Sequence, residues 1–361
     1  MAGEMIYPLS YYINSLYFAR ARGDTRWQLE ALAYLHQVYE TTGSIHSAVA
    51  CSIDMLNLYR QQADRANEAR TLAQLAKGYD ELGNVDEAID CCEQSLVLAR
   101  ELGERHIESR ALSALATAYA HLGYARRTLD DGQLALSIAQ ELEDRPGELA
   151  ALEALGDGYF YLSELASAET FYRDVLSKAY ELSDTYIQSR LLEKLGLMYI
   201  DAGAIREAQA FFDQCWQMIS GSEALYSKGR ALAHMGEVST RLGQSEEASK
   251  QLTAAEGFIS ETHLCRGQAL LEHYRGNWLR EQGRFEQARI RYKHAMTLFD
   301  ALQDRYGLAR CTFDYARLLR AQGNEHAATN AGRSVLRIYK ERGTEEQVER
   351  IQKWMERRDG Y

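Results

Sequence analysis

The chain has 361 residues with a formal net charge of −11, and 46% of its residues are hydrophobic and 26% charged. A broadly acidic surface disfavours nucleic acid and anionic membranes as partners, because those affinities depend on contacts between cations and phosphates. The 2 prolines favour long helices with short connections over a β-sandwich or barrel, which needs many Gly and Pro turns.

The N-terminal segment EMIYPLSYYINSLYFARA, residues 4–21, predicts a helix that precedes and caps the rest of the chain. It lacks the basic start and the unbroken apolar stretch of a signal peptide, and no run of about 18 apolar residues occurs anywhere. We therefore expect a cytoplasmic protein that does not insert into membranes and whose 6 cysteines are free thiols. Capping of the array and self-association are both open for the helix's aromatic residues Tyr7, Tyr11, Tyr12 and Tyr17, so the oligomeric state is unknown.

A forty-residue period follows this helix. Glycine occupies seven of the eight positions reached in steps of forty, although it makes up only 26 of 361 residues. These positions are Gly43, Gly83, Gly123, Ser163, Gly203, Gly243, Gly283 and Gly323. The columns seven residues before and five residues after them hold mostly alanine and glycine. Such self-similarity is the signature of a repeat architecture.

Each unit is predicted to be a helical hairpin. In ARTLAQLAKGYDELG, residues 69–83, the apolar residues recur at helical spacing. Gly83 is predicted to end that first helix, because the residue after a helix often needs a positive φ. Asn84 is predicted to cap the second helix, with Glu87 three residues on. An acidic residue is predicted to cap the first helix in most units: Asp24, Asp64, Glu104, Asp144, Asp184 and Asp304.

The predicted fold is therefore an all-α superhelix, formed by one solenoid that spans residues 1–361. Residues 1–23 form an N-terminal capping helix, and residues 24–343 form eight forty-residue repeats. Residues 344–361 form a C-terminal capping helix, for which Thr344 and Gln347 are predicted as a capping box. A single hairpin cannot bury its own apolar face, so stacking of neighbouring hairpins makes the core.

These columns resemble those of tetratricopeptide repeats (TPRs), in which the first helix carries Leu, Gly or Ala and Tyr and the second an early Ala. The forty-residue form resembles the long TPRs of LGN/Pins-type polarity adaptors, kinesin light chains and bacterial Rap-type regulators. The stretch EARTLAQLAKGYDELGNVDEAIDCCEQSLVLARELGE, residues 68–104, is similar to the LGN/Pins form in particular. The resemblance implies a superhelical scaffold whose concave groove is lined mainly by the first, or A, helices.

One polar column stands out, thirteen residues before each glycine. Five of its eight members are arginine: Arg70, Arg110, Arg190, Arg230 and Arg310. In the TPR frame this column faces the groove, and the guanidinium fork suits the two oxygens of a carboxylate. The ladder is predicted either to bind acidic side chains of a bound segment or to pair with carboxylates such as Asp80 or Glu81 of the adjacent repeat. The sequence leaves both interpretations open.

The TPR frame places further polar and aromatic residues in the groove. An aromatic residue beside an arginine is a common interface anchor, although packing between repeats is the simpler role for any one tyrosine. The predicted partner-binding residues, besides the five arginines, are Tyr34, Lys77, Lys194, His234, Tyr274, Asn277 and Arg317. In repeat seven, charged residues on two leucine columns suggest a rotated A helix that starts near Thr262.

No catalytic motif occurs in the chain: no phosphate-binding loop, no dinucleotide fingerprint, no H-E-x-x-H and no nucleophile elbow. The neighbouring Cys91 and Cys92 lack C-x-x-C spacing, and Cys92 falls on a packing position, so we predict no metal site and no cofactor. We expect a non-enzymatic adaptor whose groove binds a peptide segment or partner protein with acidic residues. The alternative is a ligand-gated or peptide-gated regulator that changes superhelix compaction, as resemblance to the Rap-type proteins implies.

Overall fold

The computed structural model describes residues 9–341 and 344–356, and every element within those ranges is an α-helix. The eighteen helices described are α1 (Leu9–Arg22), α2 (Thr25–Thr42), α3 (Ile45–Gln61), α4 (Arg65–Leu82), α5 (Val85–Leu102), α6 (Arg105–Leu122), α7 (Ala125–Glu141), α8 (Arg145–Tyr161), α9 (Leu165–Glu181), α10 (Thr185–Asp201), α11 (Ile205–Ile219), α12 (Leu225–Arg241), α13 (Ser245–Thr262), α14 (Cys265–Glu281), α15 (Phe285–Ala301), α16 (Arg305–Ala321), α17 (Glu325–Glu341) and α18 (Glu345–Glu356). The even-numbered helices from α2 to α16 are the A helices of the eight repeats, and the odd-numbered helices from α3 to α17 are the B helices.

The ends of the A helices have most of the capping hydrogen bonds and backbone conformations that the sequence predicts. Five aspartate side chains accept a hydrogen bond from the backbone N–H three residues on: Asp24, Asp64, Asp144, Asp184 and Asp304. All eight positions of the glycine column have a positive φ, from 63° at Ser163 to 85° at Gly83. Glu104 and Asn84 also occupy the predicted N-cap positions, but neither side chain makes a capping hydrogen bond.

The two helices of a hairpin approach closely because one of the two residues in each contact has a small side chain. An ideal Cβ on Gly196 would lie 2.5 Å from the Phe212 ring, and one on Gly276 would lie 2.7 Å from the Tyr292 ring. In the second repeat the matching positions are Ala76 and Cys92, both 1% exposed. A larger residue on the A helix therefore goes with a smaller one on the B helix.

Five of the six cysteines are buried in the packing between helices. Cys91 and Cys92 belong to a hydrophobic cluster, and burial raises the pKa of the Cys91 thiol to about 11. All six cysteines are unpaired, and only Cys265 is exposed. The described residues include no cluster of histidine, cysteine and acidic side chains suited to a metal ion.

The outer helices and the seventh repeat complete the array. Tyr17 of α1 is 70% exposed, whereas Tyr7 lies outside the described residues. The predicted start of the repeat-seven A helix near Thr262 is wrong, because α13 continues to Thr262 and α14 begins at Cys265. No helix that the structure describes has both the length and the hydrophobicity to cross a membrane. The division of the chain into one solenoid with two caps remains a prediction.

The superhelix winds so tightly that later repeats pack on earlier ones. Tyr226 at the start of α12 lies beside Gly43, where an ideal Cβ would be 3.1 Å from the tyrosine Cβ. Leu302, just before α16, lies against Gly83 in the same way. We call this surface the inter-turn interface. Its main residues are Tyr226, Leu264, Arg266, Leu302 and Tyr306 of the later repeats and Gly43, Asp80, Gly83, His121, Phe160 and Tyr161 of the earlier ones.

Candidate functional site: the A-helix face

The arginine column divides into two groups. Arg70 and Arg110, on α4 and α6, are exposed. Arg70 donates a hydrogen bond to Asn67 Oδ1 at 2.6 Å, and neither arginine forms an ion pair with a residue that the structure describes. Arg190, Arg230 and Arg310, on α10, α12 and α16, are half-buried and each pairs with a carboxylate. The same column therefore has free cations in the early repeats and neutralised cations in the later ones.

The paired cations reach back to the preceding A helix. Arg190 Nη2 lies 2.5 Å from Glu153 Oε2, and Lys194 Nζ lies 2.6 Å from Asp157 Oδ1. Arg230 pairs with Glu193 in the same geometry, 37 residues back. Burial alone would raise the pKa of Glu193, but the charges and hydrogen bonds of Arg230 and His234 hold it at about 2.

Three predicted groove residues lie inside the protein. His234, Tyr274 and Asn277 are at most 2% exposed. His234 Nε2 lies 2.9 Å from Glu193 Oε1 and its Nδ1 lies 3.0 Å from the Tyr274 hydroxyl. Asn277 donates to Glu237 at 2.9 Å. These side chains link neighbouring A helices, so a partner cannot reach them in this conformation.

Arg310 and Arg317 serve other contacts. Arg310 Nε lies 3.4 Å from Asp201 Oδ1, and its guanidinium lies over the Tyr306 ring, 5.4 Å from the centroid. Arg310 therefore joins α16 to the end of α10. Arg317 donates to Asp314 on its own helix at 3.2 Å.

An exposed surface remains on the A helices of the first three repeats. We call it the open strip, and its residues are Tyr34, Arg70, Gln74, Lys77 and Arg110. Tyr34 is 49% exposed and stacks on Tyr12 with ring centroids 4.7 Å apart. Lys77 pairs with Glu40 of the preceding repeat and lies 5.5 Å from the centroid of the Tyr186 ring on α10. Four of the twelve predicted site residues therefore lie on one accessible surface.

The side chains that connect the two turns were not among the predicted site residues. Tyr186, His121, Arg266 and Tyr306 occupy contacts between helices far apart in the chain, with separations such as 186 residues between Arg266 and Asp80. No periodic signal marks them, because each contact occurs once. The sequence shows that these residues are aromatic or charged, but it does not show which residues they contact.

Comparison with known proteins agrees with this architecture. A tetratricopeptide-repeat family model matches residues 69–108, and a second one matches residues 267–341. The chain is a tetratricopeptide-repeat protein. Among curated proteins, none matches this TPR protein significantly.

Solved structures with the same fold cover nearly the whole chain. A Rap protein complexed with competence and sporulation factor is 13% identical, with a TM-score of 0.63 over 92% of this chain and 98% of that one. The Rap conjugation gene regulator of the plasmid pLS20, in complex with the Phr* peptide, is 12% identical, with a TM-score of 0.61 and 98% coverage of each chain. Aspartyl phosphate phosphatase F from Bacillus subtilis is 14% identical, with a TM-score of 0.59 over 95% of this TPR protein and 97% of that chain. At these identities the likeness establishes the fold alone.

Proposed function

We propose that this TPR protein is a non-enzymatic interaction scaffold. Its open strip binds a peptide segment or a partner protein that carries acidic residues, in the assembly or regulation of a complex. The observation that carries the proposal is the contrast within the arginine column. Arg190, Arg230 and Arg310 are neutralised by the protein's own carboxylates, whereas Arg70 and Arg110 are exposed without an ion pair among the described residues.

The composition of the open strip fits this class of ligand. A guanidinium with no carboxylate partner inside the protein can bind both oxygens of a ligand's carboxylate. Arg70 and Arg110 occupy equivalent positions of consecutive repeats, so a segment lying across the strip meets them one after the other. Tyr34 adds a flat aromatic surface held in place by its stacking on Tyr12, a composition common at the centre of interfaces.

The remaining predicted site residues have a supporting role in this proposal. Arg190, Lys194 and Arg230 are tied to carboxylates one repeat away. Their substitution changes the packing of the A helices rather than a direct contact with the partner. Effects on binding from these positions are therefore secondary to effects on structure.

The test is selection from a random peptide display library on immobilised protein. We expect wild type to enrich peptides containing aspartate and glutamate, and the Arg70→Glu/Arg110→Glu variant to lose at least about tenfold in affinity for them. The matched control is Arg145→Glu/Arg206→Glu, which makes the same charge change at two exposed arginines outside the strip. Equal affinity in the two double variants, or no enrichment of acidic peptides, refutes the proposal.

A second candidate function is supported by the inter-turn interface. Loss of the contacts between the turns would open the superhelix, and a ligand that prefers the closed or the open state would shift the balance between them. We propose peptide-gated compaction as this alternative. The pLS20 regulator, of the same fold, was solved with a bound peptide.

A disulfide between the turns tests the gating. An ideal Cβ on Gly43 lies 3.1 Å from Tyr226 Cβ, near the range of about 3.5–4.5 Å found in disulfides. The Gly43→Cys/Tyr226→Cys variant is therefore expected to cross-link in the closed state on oxidation. If compaction gates binding, the affinity for a selected peptide differs between the oxidised and reduced forms, whereas wild type under both conditions is unchanged. The same affinity in both forms of the variant excludes gating and leaves the scaffold proposal intact.

A further inference from the structure

A histidine lies at the point where three helices of different repeats meet. His121, in the last turn of α6, is half-buried. Its Nδ1 lies 2.6 Å from Asp80 Oδ1 on α4, and its Nε2 lies 3.4 Å from Arg266 Nη1 on α14. Arg266 also donates to the Asp80 backbone carbonyl at 3.1 Å. His121 therefore contacts one residue of its own turn of the superhelix and one residue of the next turn.

These two neighbours determine the tautomer of the ring. An ionised aspartate only accepts hydrogen bonds, so Nδ1 carries the proton that it donates to Asp80. An arginine only donates, so Nε2 is the unprotonated nitrogen that accepts from Arg266. Neutral His121 satisfies both contacts, but protonated His121 cannot, because it then presents a second N–H and a positive charge to the guanidinium.

The charges around His121 decide which of its two contacts protonation strengthens and which it weakens. Protonation strengthens the pair with Asp80 inside the first turn and weakens the contact with Arg266 between the turns. Arg266 then keeps its bond to the Asp80 backbone carbonyl, while its Nε is buried without a hydrogen-bond partner among the described residues. Other groups that act at this point are the Tyr161 ring on α8, 5.9 Å from the His121 ring, Lys194 near Asp80, and Asp304 and Tyr226 near Arg266.

We infer that His121 is a proton-sensitive latch: neutral His121 holds the two turns of the superhelix together through Arg266, and its protonation releases them. Histidine is the side chain that most readily gains a proton between neutral and mildly acidic pH, so we expect a fall in pH from 7.5 to 5.5 to disfavour the closed state. The ligand of this switch is the proton, and the latch operates whether or not the open strip binds a peptide.

The experiment is small-angle X-ray scattering of the full chain between pH 7.5 and pH 5.5. The radius of gyration of a compact domain of this length is about 21 Å, and we expect wild type to lie near that value at pH 7.5 and to expand as the pH falls. His121→Gln, whose amide can donate to Asp80 while its oxygen accepts from Arg266, is expected to stay closed over the whole range. The control is His106→Gln, at an exposed histidine of the same helix, which should expand as wild type does.

A second variant keeps the test decisive if His121→Gln folds poorly. Arg266→Gln keeps the His121–Asp80 pair and removes the cation of the other turn, so it is expected to lose the pH-dependent step. The ¹⁵N chemical shifts of the His121 ring report the Nδ1–H tautomer at pH 7.5. The latch is overturned if wild type does not expand, if Arg266→Gln keeps the wild-type step, or if the ring is protonated at Nε2 at pH 7.5.

Discussion

Replacement of Gly83 by alanine measures the contact between the turns against a matched control. Gly83 has a φ of 85°, and an ideal Cβ there would lie 2.1 Å from Leu302 Cδ2 and 3.3 Å from its Cγ. Gly243 occupies the same column with a φ of 74°, and nothing lies within 4 Å of its ideal Cβ. Both substitutions force alanine into the left-handed region, at a cost of about 1–2 kcal/mol. Only Gly83→Ala also displaces a residue of the other turn.

The difference between the two variants isolates the inter-turn interface. Overpacking by one methyl group typically costs about 1–3 kcal/mol, so we expect Gly243→Ala to lower the free energy of unfolding by about 1–2 kcal/mol and Gly83→Ala to lower it by about 2–5 kcal/mol. Urea denaturation followed by circular dichroism gives both values. A larger radius of gyration is expected for Gly83→Ala alone. Equal losses of stability in the two variants would refute a close contact between Leu302 and the first turn.

Three further predictions concern single side chains. Glu193→Gln leaves half-buried Arg230 without its counter-charge and should cost about 3–5 kcal/mol at pH 7 by urea denaturation. The folded pKa of Glu193 lies near 2, below its unfolded value, so the stability it contributes is present above about pH 4.3 and is lost as the pH falls towards 2. The variant should therefore lose less stability than wild type over that range. Asp184→Ala removes a capping hydrogen bond and should lower the free energy of unfolding by about 1 kcal/mol. Glu104→Ala, at an equivalent position without that bond, should change it little. Similar losses in the two variants would contradict the assigned capping hydrogen bonds. Ser163→Gly removes the backbone strain of a serine with a φ of 63° and should raise the free energy of unfolding by up to about 1 kcal/mol in the same assay. A lower free energy of unfolding would show that the serine is not strained.

Local features of the fold could be predicted from the sequence because the same residues recur at equivalent positions of the repeats. The glycine column predicts the ends of the A helices, and its one exception, Ser163, still takes the left-handed conformation. The aspartates of five repeats predict their caps in the same way, because short side chains reach the N–H three residues on. Glu104 is the N-cap residue of α6, but its longer side chain makes no such bond.

The candidate site could be predicted only in part. The arginine column was visible, but the sequence did not separate Arg70 and Arg110 from Arg190 and Arg230. That separation depends on which carboxylates the neighbouring A helix provides, such as Glu153 and Glu193, and on the winding of the superhelix. The contacts between turns join residues 105 to 219 positions apart, whereas the columns relate only equivalent positions of successive repeats.

The pairing of Arg190, Lys194 and Arg230 with carboxylates 37 residues back has a consequence for how such a chain can change its length. Insertion or deletion of one whole forty-residue unit preserves these pairs, because the unit carries a cation for the repeat before it and a carboxylate for the repeat after it. The contacts between turns have no such tolerance. Tyr226 meets Gly43, and Leu302 meets Gly83, only if a fixed number of units separates them. The repeats are therefore modular along the chain, whereas the superhelix as a whole has a set number of units per turn, and gain of a repeat in its middle would change the partners across the turns while leaving every hairpin intact.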